Sequence, residues 1–209
     1  MTYAASSMDS EQRIPLPEAE FAGEMSIEEA IRKRRSARNF SRSSLTLDDV
    51  SQLSWAAQGI TSERGYRSAP SAGGLYPLEL YIVAGEVDGL SPGVYRYRQT
   101  EHDLILLASG DRRSQLATAA LDQSWVRRAP AVLVIASVYE RTTRKYGQRG
   151  RRYAHMEAGH AAQNIYLQAI ARGLGTVMVG AFDDSEVQRA LRLPADHEPL
   201  GLMPVGHKR

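Results

Sequence analysis

The chain has 209 residues, 43% of them hydrophobic and 24% charged, with 26 basic against 24 acidic side chains and a net charge of +2. That balance suits one soluble globular domain large enough to bury a core, and no apolar run approaches the length needed to span a bilayer. Cysteine is absent, which excludes disulfides, a thiol nucleophile, thiol redox chemistry and cysteine-held metal centres. Redox chemistry would then need a borrowed cofactor. Only Lys33, Lys145 and Lys208 are lysines; the other bases are arginines. Lysine can trade a proton near neutrality and arginine practically cannot, so the three lysines stand out.

Residues 1–24 are polar, contain Pro15 and Pro17, and read as an arm or linker, with no basic and apolar start of the kind a signal peptide needs. The folded domain is expected over residues 25–209. Ser26-Ile27-Glu28-Glu29 fits a capping box and opens a short helix to about Arg35. Thr46-Leu47-Asp48-Asp49 opens a second helix, with Leu47, Val50, Leu53 and Ala57 on one face and Gly59 as its stop. Residues 61–77 read as a loop and residues 78–84 as a strand. Residues 94–98 and 104–108 read as a hairpin, and a helix follows at about 111–121. The apolar run at 131–138 predicts a strand covered on both faces. Residues 141–152 read as an arginine-rich loop. Residues 153–172 predict the longest helix, whose Met156, Ile165, Tyr166, Leu167 and Ile170 wrap around much of its circumference, as in a core or interface helix. A strand at 176–180, a helix at 184–191 and a last strand at 200–205 complete the chain. No internal repeat is present. The mixture predicts an α+β fold, a mixed or antiparallel sheet flanked by helices.

Five segments could carry chemistry. In 33–40, Lys33, Arg34, Arg35 and Arg38 surround Ser36; the cluster suits phosphate oxygens and equally a solvated helix end. In 69–77, Pro70, Ser71, Ala72, Gly73 and Gly74 are small enough for a backbone to approach a flat ligand, or simply form a turn into the next strand. Residues 141–152 hold six bases and no acid. They could bind nucleic acid, although the chain is nearly neutral and aromatics are only 7%. Within them Lys145 and Tyr146 can both handle protons. Glu157 and His160 are three apart on one helical face, a di-iron spacing. It occurs once, which favours a satisfied histidine over a metal ligand. Val179, Gly180 and Ala181 end a strand with amides that could face a heterocycle, or form a plain connection.

Taken in order, RRSARNF at 34–40, APSAGGLYP at 69–77, EAGHAAQNIYLQAIARGLG at 157–175, VGAF at 179–182 and PVGHKR at 204–209 resemble the FMN-dependent nitroreductase superfamily. The resemblance spans residues 25–209. The PSAGGLYP loop, and Lys145-Tyr146-Gly147 followed by Arg152-Tyr153 and Glu157-Ala158-Gly159-His160, are most similar to its SagB-type dehydrogenase branch. That resemblance implies an interleaved homodimer that binds FMN. Arg34, Arg35, Ser36 and Arg38 would hold its phosphate and ribityl end, with Lys208 and Arg209 adding contacts. Pro70, Ser71, Ala72, Gly73 and Gly74 would line the ring across a dimer interface. Gly74 stands where many nitroreductases have an asparagine. Val179, Gly180 and Ala181 would bring an amide to the flavin N5. Lys145 and Tyr146 would be the catalytic pair. The implied activity is a cytoplasmic oxidoreductase moving hydride between a ring-stacked small molecule or modified peptide and the flavin. NAD(P)H-dependent nitro- or quinone reduction, or flavin binding without catalysis, are the alternatives. No metal, nucleic acid or membrane partner is implied.

Overall fold

The computed structural model describes residues 12–209; residues 1–11 of the expected arm lie outside them. A seven-stranded sheet runs in the order β1-β4-β3-β2-β5-β7-β6, and each of its ladders is antiparallel. The strands are β1 (Arg13–Pro15), β2 (Leu78–Ala84), β3 (Gly93–Arg98), β4 (Asp103–Ser109), β5 (Ala131–Ser137), β6 (Leu174–Thr176) and β7 (Glu198–His207). The helices are α1 (Ile27–Lys33), α2 (Leu47–Gln58), α3 (Arg113–Ala119), α4 (Ser124–Arg128), α5 (Glu140–Tyr146), α6 (Arg149–Ala171) and α7 (Asp184–Leu191).

The period-2 alternation of the central strands builds two cores. Leu78, Leu80 and Ile82 of β2 and Leu133 and Ile135 of β5 pack with Leu53 and Ala57 of α2 and Ile165 and Ala169 of α6. Their alternates, Tyr81, Val83, Val132 and Val134, pack with Leu116 of α3, Val126 of α4 and Val187 and Leu191 of α7. Each fully buried Leu, Ile or Val among them contributes about 1.5–3 kcal/mol, so the sheet is held from both faces.

The second helix starts as its sequence dictates: Thr46 and Asp49 form a reciprocal capping box. At α1 only half the box forms. Ser26 accepts the Glu29 N–H at 3.2 Å, while the Glu29 carboxylate turns to Lys33 at 2.5 Å. That helix ends at Lys33 rather than Arg35, because the following residues extend along the sheet edge, where Ser36 bridges Thr176.

Three further expectations change. Residues 13–15, part of the expected arm, pair with β4 at the sheet edge, and Leu16 is buried. The arginine-rich segment 141–152 is not a loop: it forms α5 and the first turn of α6. Glu140 and Arg144 bond one turn apart at 2.8 Å. Gly150 lets the two helices close, since a Cβ there would lie 2.8 Å from the Thr142 backbone. Finally, the strand expected at 176–180 is β6, which stops at Thr176. Met178 then fills the space over Gly201, and contact with β7 resumes only at the Val179–Leu202 bridge. The short helix α4 had no counterpart in the sequence pattern.

Candidate cofactor and catalytic site

Toward the N-terminal end of α6 lies the turn of residues 70–74. Ser71 organises it: its carbonyl accepts the Gly74 N–H at 3.1 Å and its hydroxyl accepts the Tyr76 N–H at 2.9 Å. Gly73 and Gly74 both take left-handed backbone angles, φ 63° and 65°, which side chains resist. Gly73 also lies under the Lys145-Tyr146 pair. A Cβ placed on it would stand 2.6 Å from Tyr146 Oη and 3.1 Å from Lys145 Nζ. The two proton-handling ends thus converge on the glycine turn.

Arg141 sets that convergence. Its guanidinium donates to the Tyr76 carbonyl at 3.1 Å and pairs with Glu79 at 2.6 Å, docking α5 against the turn. Tyr153 packs its ring edge-on against Tyr146, with centroids 5.1 Å apart. Arg67 donates to Gln58 at 2.8 Å and to the Leu78 carbonyl at 3.3 Å and lies over the Tyr76 ring. Burial pulls its guanidinium below the ordinary arginine value. Of the six bases in 141–152, Arg141, Arg144 and Arg151 are tied to Glu79, Glu140 and Glu198. Half of that basic charge is therefore already neutralised by fixed acids.

The second cluster lies toward the C-terminal end of α6. Ser36 runs beside β6, and the Ala37 N–H donates to the Thr176 carbonyl at 2.9 Å. Phe40 bridges Lys208, and the Arg209 N–H donates to the Asn39 carbonyl at 3.3 Å. Gly175 permits this crowding, since a Cβ there would sit 2.6 Å from Ala37 Cβ and 2.7 Å from Lys208 Cγ. The segment 34–40 and the chain end, far apart in sequence, are therefore brought together. Arg34, Arg35, Arg38, Lys208 and Arg209 have no carboxylate partner among the described residues.

Beside them, Val179 pairs with Leu202, and the chain turns away at Gly180 and Ala181. Both are exposed, and neither backbone N–H has a hydrogen-bond partner among the described residues. The Ala181 carbonyl is fixed by Gln123 at 2.9 Å. Open space surrounds the position of a Gly180 Cβ.

One residue escaped the sequence reading, and a second was weighed there only as half of a metal-ligand spacing. Tyr166, assigned only to the core, accepts the Met178 N–H at 2.7 Å, reaches the Ser36 hydroxyl at 3.4 Å and lies under the Arg34 guanidinium. No local signal marks it, because its partners are distant in sequence. Glu157 is 2% exposed. It continues the buried row Ala154, Ala158, Ala161 and Ile165, so a helical wheel would have flagged an acid on an apolar face. Burial pushes its pKa up to about 7, against the pull of the Ser71 hydroxyl and the Arg67 charge. His160 is exposed, and no group of three potential metal ligands occurs among the described residues. No helix among them is long and apolar enough to cross a membrane.

Together these features describe an α+β protein with a group of cations lacking acidic partners at its sheet edge and a glycine turn near the far end of its longest helix. The chain belongs to the nitroreductase family, which it matches over residues 31–207. A Methanocaldococcus jannaschii protein, provisionally named a nitroreductase, is 47% identical over 96% of this chain and 99% of its own length. A Ralstonia eutropha protein of solved structure, likewise provisionally a nitroreductase, superposes with a TM-score of 0.83 at 29% identity, covering 96% of this chain and 91% of that one. Relatives at lower identity include the microcin B17-processing protein McbC of Escherichia coli, of the SagB-type branch. It is 29% identical over 61% of this chain, which spans 48% of that protein's length.

Members of the family typically bind FMN. The residues present fit that molecule: cations without acidic partners suit its phosphate, free amides at Gly180 and Ala181 suit the acceptor atoms of its ring, and side-chain-free turns admit a flat heterocycle.

Proposed function

We propose that this protein is a cytoplasmic FMN-dependent oxidoreductase of the SagB type, acting on a small heterocycle or modified peptide. The observation that carries this reading is the convergence of Lys145 Nζ and Tyr146 Oη on Gly73. FMN, when bound, supplies the hydride chemistry that no side chain of a cysteine-free protein offers.

The protein's own groups do the rest. Arg34, Arg35, Ser36, Arg38, Lys208 and Arg209 hold the phosphate and ribityl end. Beyond Val179, whose own N–H is held by the Leu202 carbonyl at 2.8 Å, Gly180 and Ala181 would offer their backbone N–H groups to the acceptor atoms of the ring. Pro70, Ser71, Ala72, Gly73 and Gly74 would line the ring. Lys145 and Tyr146, which converge on Gly73, would give or take the substrate's proton.

Glu157 and Tyr166, which mark the two clusters, are nine residues apart on α6, about 13 Å at helical rise. A second copy of the chain completes each site in this reading, the turn of one protomer facing the arginine edge of its partner. Support comes from Ile27 and Ile31 of α1 and Met156 of α6, all more than half exposed in the single chain. A groove of about 840 Å³ lined by Phe21, Ile27, Trp55 and Leu167 lies outside both clusters and would be covered in such a dimer.

The test is the absorption spectrum of the purified protein with and without added FMN, followed by anaerobic addition of NADH and NADPH. A flavin spectrum that either nucleotide bleaches only slowly is the expected result. Rapid bleaching would favour an NAD(P)H-dependent nitro- or quinone reductase, the reading the name of the Methanocaldococcus relative favours. A protein that fails to bind FMN would refute both.

A further inference from the structure

Glu157 is unused by the chemistry above, yet its carboxyl is buried. Its neighbours along the buried face of α6 are Ala154, Ala158 and Ala161. Both carboxyl oxygens are shut off from solvent without a hydrogen bond of ordinary geometry. An ionised carboxylate in that setting is strongly penalised unless something moves to meet it.

The groups around it limit what can move. From the loop before β2, Arg67 is the one charge that pulls on it, but Arg67 is held by Gln58 of α2 and the Leu78 carbonyl. Glu79 of β2 is tied to Arg141 of α5. Lys145 and Tyr146 of α5 meet the same turn at Gly73. His160 on its own helix is exposed. The remaining neighbour is Ser71, which pulls on the carboxyl without a hydrogen bond of ordinary geometry. Its oxygen already accepts the Tyr76 N–H, which leaves the hydroxyl proton free to donate to Glu157.

We propose that Glu157 is a positioning residue that couples proton uptake to the shape of the 70–74 turn through the Ser71 hydroxyl. Neutral, it packs beneath the turn and makes no demand on it. Ionised, it draws the Ser71 hydroxyl, shifts Ala72, Gly73 and Gly74, and changes the surface that Lys145 and Tyr146 meet. Burial sets the exchange near neutrality. The proposal rests on the reading that this turn lines FMN.

The experiment compares wild type with Glu157→Gln, the neutral mimic, and Ser71→Ala, which cuts the link. Two readouts are followed between about pH 5.5 and 8.5, spanning the neutral range on both sides: the absorption of bound FMN, and amide hydrogen exchange of the 70–74 turn in apoprotein. In wild type both are expected to change with a midpoint near 7, after correction for the intrinsic pH dependence of exchange. Both variants are expected to lose that transition. A transition that persists in Glu157→Gln, or its absence in wild type, overturns the proposal. If the Gln variant does not fold, an unaltered transition in Ser71→Ala overturns it just as well. If FMN does not bind, the functional reading fails, and hydrogen exchange in the apoprotein decides the role of Glu157 by the same criteria.

Discussion

The Met178 backbone N–H donates to the hydroxyl of Tyr166 at 2.7 Å, and through that bond α6 fixes the exit of the chain from the sheet toward Gly180 and Ala181. The same hydroxyl lies 3.4 Å from Ser36, so one side chain spans the arginine segment and the free amides. Tyr166→Phe is expected to cost about 1–2 kcal/mol, since it strands a backbone donor, and to weaken FMN binding several-fold. Urea unfolding and a fluorescence titration with FMN measure the two effects separately.

Removal of the unpaired cations is expected to act on binding rather than on folding. Arg34→Ala, Arg38→Ala and Lys208→Ala should each lower FMN affinity by about tenfold, because a hydrogen bond to a charged group contributes about 1.5–3 kcal/mol. No acid among the described residues loses a partner, so the melting temperature of the apoprotein should barely move. Wild-type affinity itself should fall with rising ionic strength; an affinity indifferent to salt would argue against a phosphate at this edge.

Lys145→Ala and Tyr146→Phe are expected to keep FMN and lose turnover by about 10²–10⁴, the usual range for a positioned acid or base. Turnover unaltered in both variants would reject the pair as catalytic. Gly73→Ala probes the same contact from the other side. A Cβ there would displace Tyr146 Oη, and the left-handed backbone angle adds about 1–2 kcal/mol of strain. The variant should bind FMN yet turn over poorly.

Glu157 carries a stability signature with a defined sign. Its folded-state pKa is raised from 4.5 to about 7. Its contribution is therefore fully present below pH 4.5 and is lost as pH rises through 7. The stability of wild type relative to Glu157→Gln should decline by about 3 kcal/mol across that window and then level off. Chemical denaturation at several pH values measures it; a constant difference would show that the carboxyl ionises freely in the folded state.

The ion-paired acids slope the other way. Burial works to raise the Asp111 carboxyl, but the hydrogen bonds and charge of Arg113 outweigh it and hold the pKa below the usual carboxylate range. Stability from this pair is present at neutral pH and lost as pH falls through the folded-state value. Asp111→Asn should flatten part of the acid limb of the denaturation profile.

Much of the framework was legible along the chain. The capping box at Thr46 and Asp49, the alternation of residues 78–84, the doubly covered run that became β5 and the amphipathic α7 are each written in residues within a few positions of one another. Local rules suffice there, because capping hydrogen bonds and the 2.0 and 3.6 periodicities act over one or two turns. The arginine-rich segment misled for a physical reason: a run of like charge suggests a solvated loop, but Glu79, Glu140 and Glu198 neutralise three of its members. Two of these acids come from distant strands.

By itself, then, the sequence determined the α+β class, the main strands and helices, and which small, basic and proton-handling residues were worth watching. Only the tertiary structure decided that Gly73 lies beneath Tyr146, that Lys208 crowds Ala37 over Gly175, and that Tyr166 joins Ser36 to Met178. Those relationships depend on strand order and on helices closing over glycines, and no periodicity records contacts between residues dozens of positions apart.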